Sequence, residues 1–161
     1  MSWNDDLAAL WEDETIDDLE RVERMAALAP TAPHPALGLF ELASAHDAAG
    51  LEAEADALYV QAEAAGLAGV DPDLDAHRQI QHASTLRNLG RLDEALAMLR
   101  DAPHHPEVGG ARDAFLALTL HDAGRHDEAL RVAIEALVPT LPMYRRALTD
   151  YAAALTKAPG A

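Results

Sequence analysis

Apolar residues recur along most of the chain at the three- and four-residue spacing of amphipathic helices, and polar segments with glycine or proline separate these stretches. One apolar stripe consists of Leu74, Ile80, Ala83 and Leu86. Proline is tolerated in the first turn of a helix, and glycine often closes a helix in the left-handed conformation. The pattern therefore predicts a helix that begins near Pro72 and ends near Gly90.

An internal repeat has a period of 34 residues. The segment GRLDEAL at 90–96 returns as GRHDEAL at 124–130, and a weaker copy, GLEAEA, occupies 50–55. Pro72 and Pro106 each precede the glycine of the following copy by 18 residues. Two landmarks with one period predict tandem helix–turn–helix units. The predicted helix pairs lie at 35–49/52–65, 72–89/92–102 and 106–123/126–138.

Alanines occupy corresponding positions in the two helices of each predicted pair. They are Ala43 with Ala55, Ala83 with Ala95, and Ala117 with Ala129. Small residues at such contacts let the helix axes approach closely. We therefore expect a large side chain at Ala95 or Ala129 to destabilise the fold by overpacking.

The repeat divides the chain, which has the length of one domain, into three parts. Residues 1–33 form an acidic helical segment, 34–139 hold three helix pairs, and 140–161 form a capping helix and a short tail. The N-terminal part has a weak capping pattern, Thr15 with Asp18, and a predicted inner face of Ile16, Leu19, Val22 and Ala26. A short preceding helix or a loose docking arm would carry Trp3, Leu7, Leu10 and Trp11. The capping helix has a predicted inner stripe of Tyr144, Leu148, Tyr151 and Leu155.

The amino-acid composition excludes several kinds of chemical site and disfavours several classes of partner. The chain has no cysteine, which excludes disulfides, thiolate metal sites and a cysteine nucleophile. The net charge of −16 disfavours nucleic acid and anionic membranes as partners, because both attract clustered Lys and Arg. The start lacks a basic segment followed by an apolar run, and we expect a cytoplasmic protein. The acidic excess near the N-terminus serves either solubility or the docking of a basic partner.

The 34-residue period with its Gly, Asp-Glu-Ala and small-residue landmarks resembles the tetratricopeptide repeat. More narrowly, STLRNLGR at 84–91 together with HDAGR at 121–125 is similar to a small bacterial tetratricopeptide family of about this length. The position where the general repeat favours Trp holds Leu39, Gln79 and Asp113 instead. The resemblance implies an all-α, right-handed helical solenoid of about three repeats that binds a peptide or helix of a partner protein.

Family members generally bind their partners in a concave groove formed by the first helix of each repeat. Projecting that arrangement onto this chain gives the candidate groove residues Ser44, Asp47, His77, Ser84, Arg87, Asn88, His121 and Asp122. A full clamp for a terminal carboxylate is absent, since only Arg87 and Asn88 fit that role, with His77 as a helper. A mixed-charge groove of Asp47, Arg87 and Asp122 would suit a partner with at least one basic residue.

No catalytic motif is apparent, and we expect neither an enzyme nor a cofactor. The Asp-Glu pairs at 93–94 and 127–128 begin second helices, where carboxylates complement the helix dipole. The histidine pairs 77/82 and 121/126 are five residues apart, so neither pair lies on one helix face as metal ligation would require.

Two alternatives to a partner-binding module stay open. One is a self-associating homodimer that uses Trp3 and Trp11 or the end helix, and the other is a His-dependent metal-binding protein.

Overall fold

The computed structural model describes residues 2–157, and its regular structure consists of helices. They are α1 (Trp3–Glu12), α2 (Asp18–Leu28), α3 (Pro35–Ala48), α4 (Glu52–Ala64), α5 (Leu67–Val70), α6 (Pro72–Asn88), α7 (Leu92–Asp101), α8 (Ala111–Asp122), α9 (His126–Leu137) and α10 (Arg145–Ala154), with 3₁₀ turns at Ala29–Thr31 and Val138–Thr140. No strand occurs between residues 2 and 157, and the all-α prediction is confirmed. In the same range, no helix is both long enough and apolar enough to cross a membrane.

The three predicted pairs are α3/α4, α6/α7 and α8/α9, and each pair is joined by a turn with glycine in the left-handed conformation. Gly90 has φ +76° and Gly124 has φ +73°. After each glycine, the next backbone N–H donates to a carbonyl five residues back, Arg91 to Leu86 and Arg125 to Leu120, both at 2.9 Å. This bond closes the first helix of the pair, because it satisfies a carbonyl that has no partner within the helix.

The repeated Gly-Arg-x-Asp-Glu segment holds the start of each second helix through its arginine. Arg91 donates from Nε and Nη2 to the two carboxylate oxygens of Glu94, both at 2.7 Å. Arg125 makes the same two-pronged contact with Glu128, at 2.7 and 2.5 Å. The arginine therefore orients the glutamate carboxylate beside the N-terminus of the second helix. The weaker first copy has Leu51 in place of this arginine and cannot make the contact.

Consecutive helices pack against each other, and the first helices of neighbouring pairs, α3, α6 and α8, also touch. The paired alanines lie at these contacts: Ala43, Ala55, Ala83 and Ala95 have no exposed surface, and Ala129 is 6% exposed. Ala117 is only half-buried. In the first two pairs both alanines are therefore fully buried, as close packing of the two helices requires.

The third pair begins later than its proline suggests. We expected a helix from 106, but residues 106–110 form turns and α8 begins at Ala111. Gly109, with φ +51°, and Gly110 interrupt the helical pattern, since glycine has low helix propensity. Arg112 then fixes the preceding loop by donating to the Ala102 carbonyl at 2.9 Å.

The N-terminal segment is a packed helix pair rather than a loose arm. Asp17, and not Thr15, caps α2, because its side chain accepts the Glu20 N–H at 2.8 Å. The inner face of α2 consists of Val22, Met25 and Leu28, whereas the predicted Leu19 is 60% exposed and Ala26 is exposed. Arg21 holds the end of α1 by donating to the carbonyls of Leu10, Trp11 and Asp13.

The C-terminal helix presents a different face from the predicted one. Tyr144 and Tyr151 are 73% and 70% exposed, while Ala152 is fully buried, and Leu148 and Leu155 are half-buried. The alanine lets α10 pack closely on α9, and this contact turns Tyr151 outward. Tyr144 precedes α10, with φ +67°, and is not part of the helix face. The predicted tail beyond Lys157 lies outside the described residues.

A second internal repeat connects the ends of the chain. The pattern Leu-x-Pro-Thr-x-Pro occurs at 28–33 and again at 137–142. Both copies form a 3₁₀ turn in which the threonine hydroxyl donates to the leucine carbonyl, Thr31 at 2.7 Å and Thr140 at 2.8 Å. The connections from α2 to α3 and from α9 to α10 therefore begin with the same turn, but they end differently, at an extended His34 and at a left-handed Tyr144.

Candidate functional site

A cavity of about 440 Å³ lies between α3 and α6, where the end of α1 borders it. We call this cavity the α3–α6 groove, and it is lined by Trp11, Phe40, Glu41, Ser44, Asp47, Ala48, Leu74, His77 and Gln81. Positions 41, 44 and 48 follow one face of α3, and positions 74, 77 and 81 follow one face of α6, because each set has helical spacing. Direct contact between the first helices of two repeats brings these faces together.

Polar bonds between the two helices shape the floor of the groove. Gln81 Oε1 accepts from Tyr59 Oη at 3.2 Å and lies 3.1 Å from Ser44 Oγ. Thr85 Oγ1 donates to Asp47 Oδ1 at 2.8 Å. These contacts hold the Gln81 amide and the Asp47 carboxylate in place, so the groove is formed before any ligand arrives.

Two carboxylates in the groove are poorly solvated. Glu41 is 8% exposed, and its Oε2 accepts a hydrogen bond from Trp11 Nε1 at 2.8 Å. Burial raises the pKa of Glu41 above its usual 4.5 and raises the pKa of Asp47 above its usual 3.8. Neither Lys nor Arg is among the nine lining residues. A cation placed here would offset the desolvation free energy of the two ionised carboxylates.

Three of the predicted groove residues, Ser44, Asp47 and His77, lie together around this cavity. His77 stands at the rim, where its side chain is 40% exposed and its Nε2 is 3.8 Å from Glu107 Oε1. The remaining five residues lie outside the cavity lining.

Arg87 and Asp122 pair with each other instead of sharing a site with Asp47. Arg87 Nε donates to Asp122 Oδ2 at 2.6 Å and thereby joins α6 to α8. Ser84 is half-buried on α6, Asn88 is exposed, and the His121 ring packs against His126. The expected mixed-charge cluster is thus divided into a neutral Arg87–Asp122 pair and an acidic groove.

Six of the nine lining residues were not predicted from the sequence, among them the polar residues Trp11, Glu41 and Gln81. Helical spacing could have found Glu41, because it precedes Ser44 by three residues on the same face of α3. Gln81 follows Glu41 by 40 residues, the same separation as Gly90 from Gly50, and could have been found by aligning the first helices. Trp11 carries no comparable signal, since only the packing of α1 against the first pair brings it to Glu41.

The family model for the tetratrico peptide repeat matches residues 36–155, which is most of the chain. The chain is a tetratricopeptide repeat protein. No curated protein and no solved structure matches it. The match covers all three helix pairs and α10, and the repeat family is one of protein-interaction scaffolds that typically lack catalytic activity.

This tetratricopeptide repeat protein also has a larger cavity of about 710 Å³, formed by α7, α8, α9 and the end of α10. Its charged lining residues balance, with Arg100, Arg131 and Lys157 against Asp127, Glu128 and Glu135. Arg131 already donates to Glu135 at 2.8 Å and to Thr156 at 2.7 Å. The α3–α6 groove is smaller, but it carries uncompensated carboxylates and is therefore the stronger candidate for recognising a charged ligand.

Proposed function

We propose that this protein binds a partner protein by accepting a basic side chain of an extended segment into the α3–α6 groove. The observation that carries the proposal is the pair of poorly solvated carboxylates, Glu41 and Asp47, in a groove without a lysine or arginine in its lining. A lysine or arginine would form charge-assisted hydrogen bonds with them.

The other lining residues suit the rest of such a side chain. Phe40 and Leu74 offer apolar surface to its methylene stem, and Trp11 borders the place of its charged end. One face of the Trp11 ring already carries the Arg21 guanidinium, 5.6 Å from the ring centroid, so only the other face can take a second cation. Ser44, Gln81 and His77 supply polar atoms at the margin. This combination distinguishes a basic side chain from a purely apolar one.

The partner would then continue along the first helices towards α8. Ser84, Arg87, Asn88, His121 and Asp122 are the candidate contacts in that direction. Arg87 Nε already donates to Asp122, which partly neutralises the charge that Arg87 could offer to a carboxylate of the partner, while its Nη groups can still donate. We therefore expect Arg87 to contribute less to affinity than Asp47.

The test uses short synthetic peptides that share one uncharged sequence and differ only at the central residue, which is Arg, Lys or Glu. A Trp3→Phe background leaves Trp11 as the sole tryptophan, so that its fluorescence reports events in the groove. We expect the Arg and Lys peptides to bind and the Glu peptide not to bind. Asp47→Asn should weaken binding about tenfold, because it removes a charge while its side-chain oxygen can still accept from Thr85.

Asp73→Asn is the matched control, since it removes the same charge from the exposed first turn of α6 outside the groove. It should leave affinity unchanged. Equal binding of basic and acidic peptides, or unchanged affinity of Asp47→Asn, would contradict the proposal. If no peptide binds and light scattering gives a dimer, the self-association alternative takes its place.

Binding should weaken on acidification. Ionised Glu41 and Asp47 attract the cation, so affinity is highest above their raised pKa values and falls as pH drops from 7 through them. The Glu41→Gln/Asp47→Asn variant should show a flat profile from the same fluorescence titration. Acid unfolding through these two groups does not explain the loss, because a carboxyl with a raised pKa in the folded state stabilises that state as pH falls. Circular dichroism at each pH would verify the fold.

A further inference from the structure

His121 and His126 face each other across the turn between α8 and α9. Their ring centroids are 4.7 Å apart, and the two Nδ1 atoms are separated by 3.2 Å. The prediction that these two histidines lie on different faces is therefore wrong. A five-residue spacing separates two side chains only within one helix, whereas His121 lies in the last turn of α8 and His126 begins α9 after the turn at Gly124.

The separation of the two nitrogens matches that of two ligands of one metal ion. Zinc lies about 2.0–2.1 Å from imidazole nitrogens, and a tetrahedral angle then places two such nitrogens about 3.3 Å apart. Both side chains are exposed, so an ion and its water ligands can reach them. A single hydrogen bond between the rings has a similar length, but there the two nitrogens point at each other. Metal binding therefore requires both rings to rotate until their Nδ1 atoms face a common position beside the line that joins them.

We propose that His121 and His126 chelate one divalent transition-metal ion through their Nδ1 atoms. Neutral imidazole is a good ligand for Zn²⁺, Ni²⁺ and Cu²⁺, whereas Mg²⁺ prefers oxygen ligands. Among residues 2–157, no three His, Cys, Asp or Glu side chains gather at metal-binding distances, so water completes the coordination. The site is therefore an exchangeable one that clamps the turn between α8 and α9, and Cu²⁺ should bind more tightly than Zn²⁺.

The site can be tested by calorimetric titration of the full, untagged chain with Cu²⁺, Ni²⁺, Zn²⁺ and Mg²⁺. We expect one transition-metal ion per chain at this site and no binding of Mg²⁺. His121→Ala and His126→Ala should each weaken the binding about tenfold or more. Both residues are exposed, and circular dichroism should show unchanged helicity.

The control is the double variant His104→Ala/His105→Ala, which removes two neighbouring histidines whose side chains face other partners. His104 Nε2 lies 2.9 Å from an Arg112 nitrogen, and His105 Nε2 lies 3.5 Å from Asp73 Oδ1. This variant should keep the ion, and the Cu²⁺-loaded chain should show two imidazole nitrogens by electron paramagnetic resonance. Unchanged binding after loss of His121 and His126, or binding lost only with His104 and His105, would overturn the assignment.

Discussion

Replacing Asp75 with alanine should lower the free energy of unfolding by about 3 kcal/mol, because it leaves a buried guanidinium without its main partner. The Arg78 side chain is only 4% exposed, and its Nε donates to Asp75 Oδ1 at 2.7 Å. The other Asp75 oxygen accepts from Gln79 Nε2 at 2.8 Å. Glu63 would remain 3.4 Å from Arg78, but its side chain is 60% exposed and compensates only weakly. Urea denaturation followed by circular dichroism measures the change.

Asp73→Ala is the control for this experiment. Asp73 lies in the same first turn of α6, but its side chain is 67% exposed, and its removal should change stability by at most about 0.5 kcal/mol. The double variant Asp75→Leu/Arg78→Met should recover most of the loss, because apolar residues can replace a buried ion pair. If Asp75→Ala costs no more than Asp73→Ala, the guanidinium of Arg78 finds water or another partner.

Replacing Gly38 with alanine should destabilise the protein by about 2 kcal/mol, even though alanine favours helices. A Cβ atom at position 38 would lie 2.2 Å from the carbonyl oxygen of Ala29 and 2.9 Å from its carbonyl carbon. Both atoms belong to the backbone of the 3₁₀ turn before α3, so relief requires the helix or the turn to shift. Thermal unfolding should show a melting temperature lower by roughly 5 °C.

Gly69→Ala provides the comparison for the glycine experiment. A Cβ atom at position 69 meets no heavy atom within 4 Å, and Gly69 lies in the short helix α5. We expect this substitution to be neutral or slightly stabilising, because it reduces the conformational freedom of the unfolded chain. Equal effects of the two substitutions would show that α3 does not depend on close contact with the turn.

Part of the candidate site was accessible from the amino-acid sequence. Ser44, Asp47 and His77 were placed on first helices by the repeat phase, and the structure brings them to one cavity. The same phase could not reveal that Asp122 accepts from Arg87, because that bond depends on how far α8 is shifted along α6. The partnership of Trp11 with Glu41 likewise spans 30 residues and two helix pairs.

The sequence by itself determined the all-α class, the three helix pairs and the left-handed glycine turns. These features follow from helical periodicity and from the conformational freedom of glycine, which act over a few neighbouring residues. Only the tertiary structure decided that Tyr151 faces outward, that Asp75 is buried with Arg78, and that His121 meets His126. The exposure of Tyr151 and the burial of Asp75 depend on the rotation and register of one helix against another, which small residues at the contacts set between distant parts of the chain. The meeting of His121 and His126 depends instead on how the turn at Gly124 directs the chain from α8 into α9.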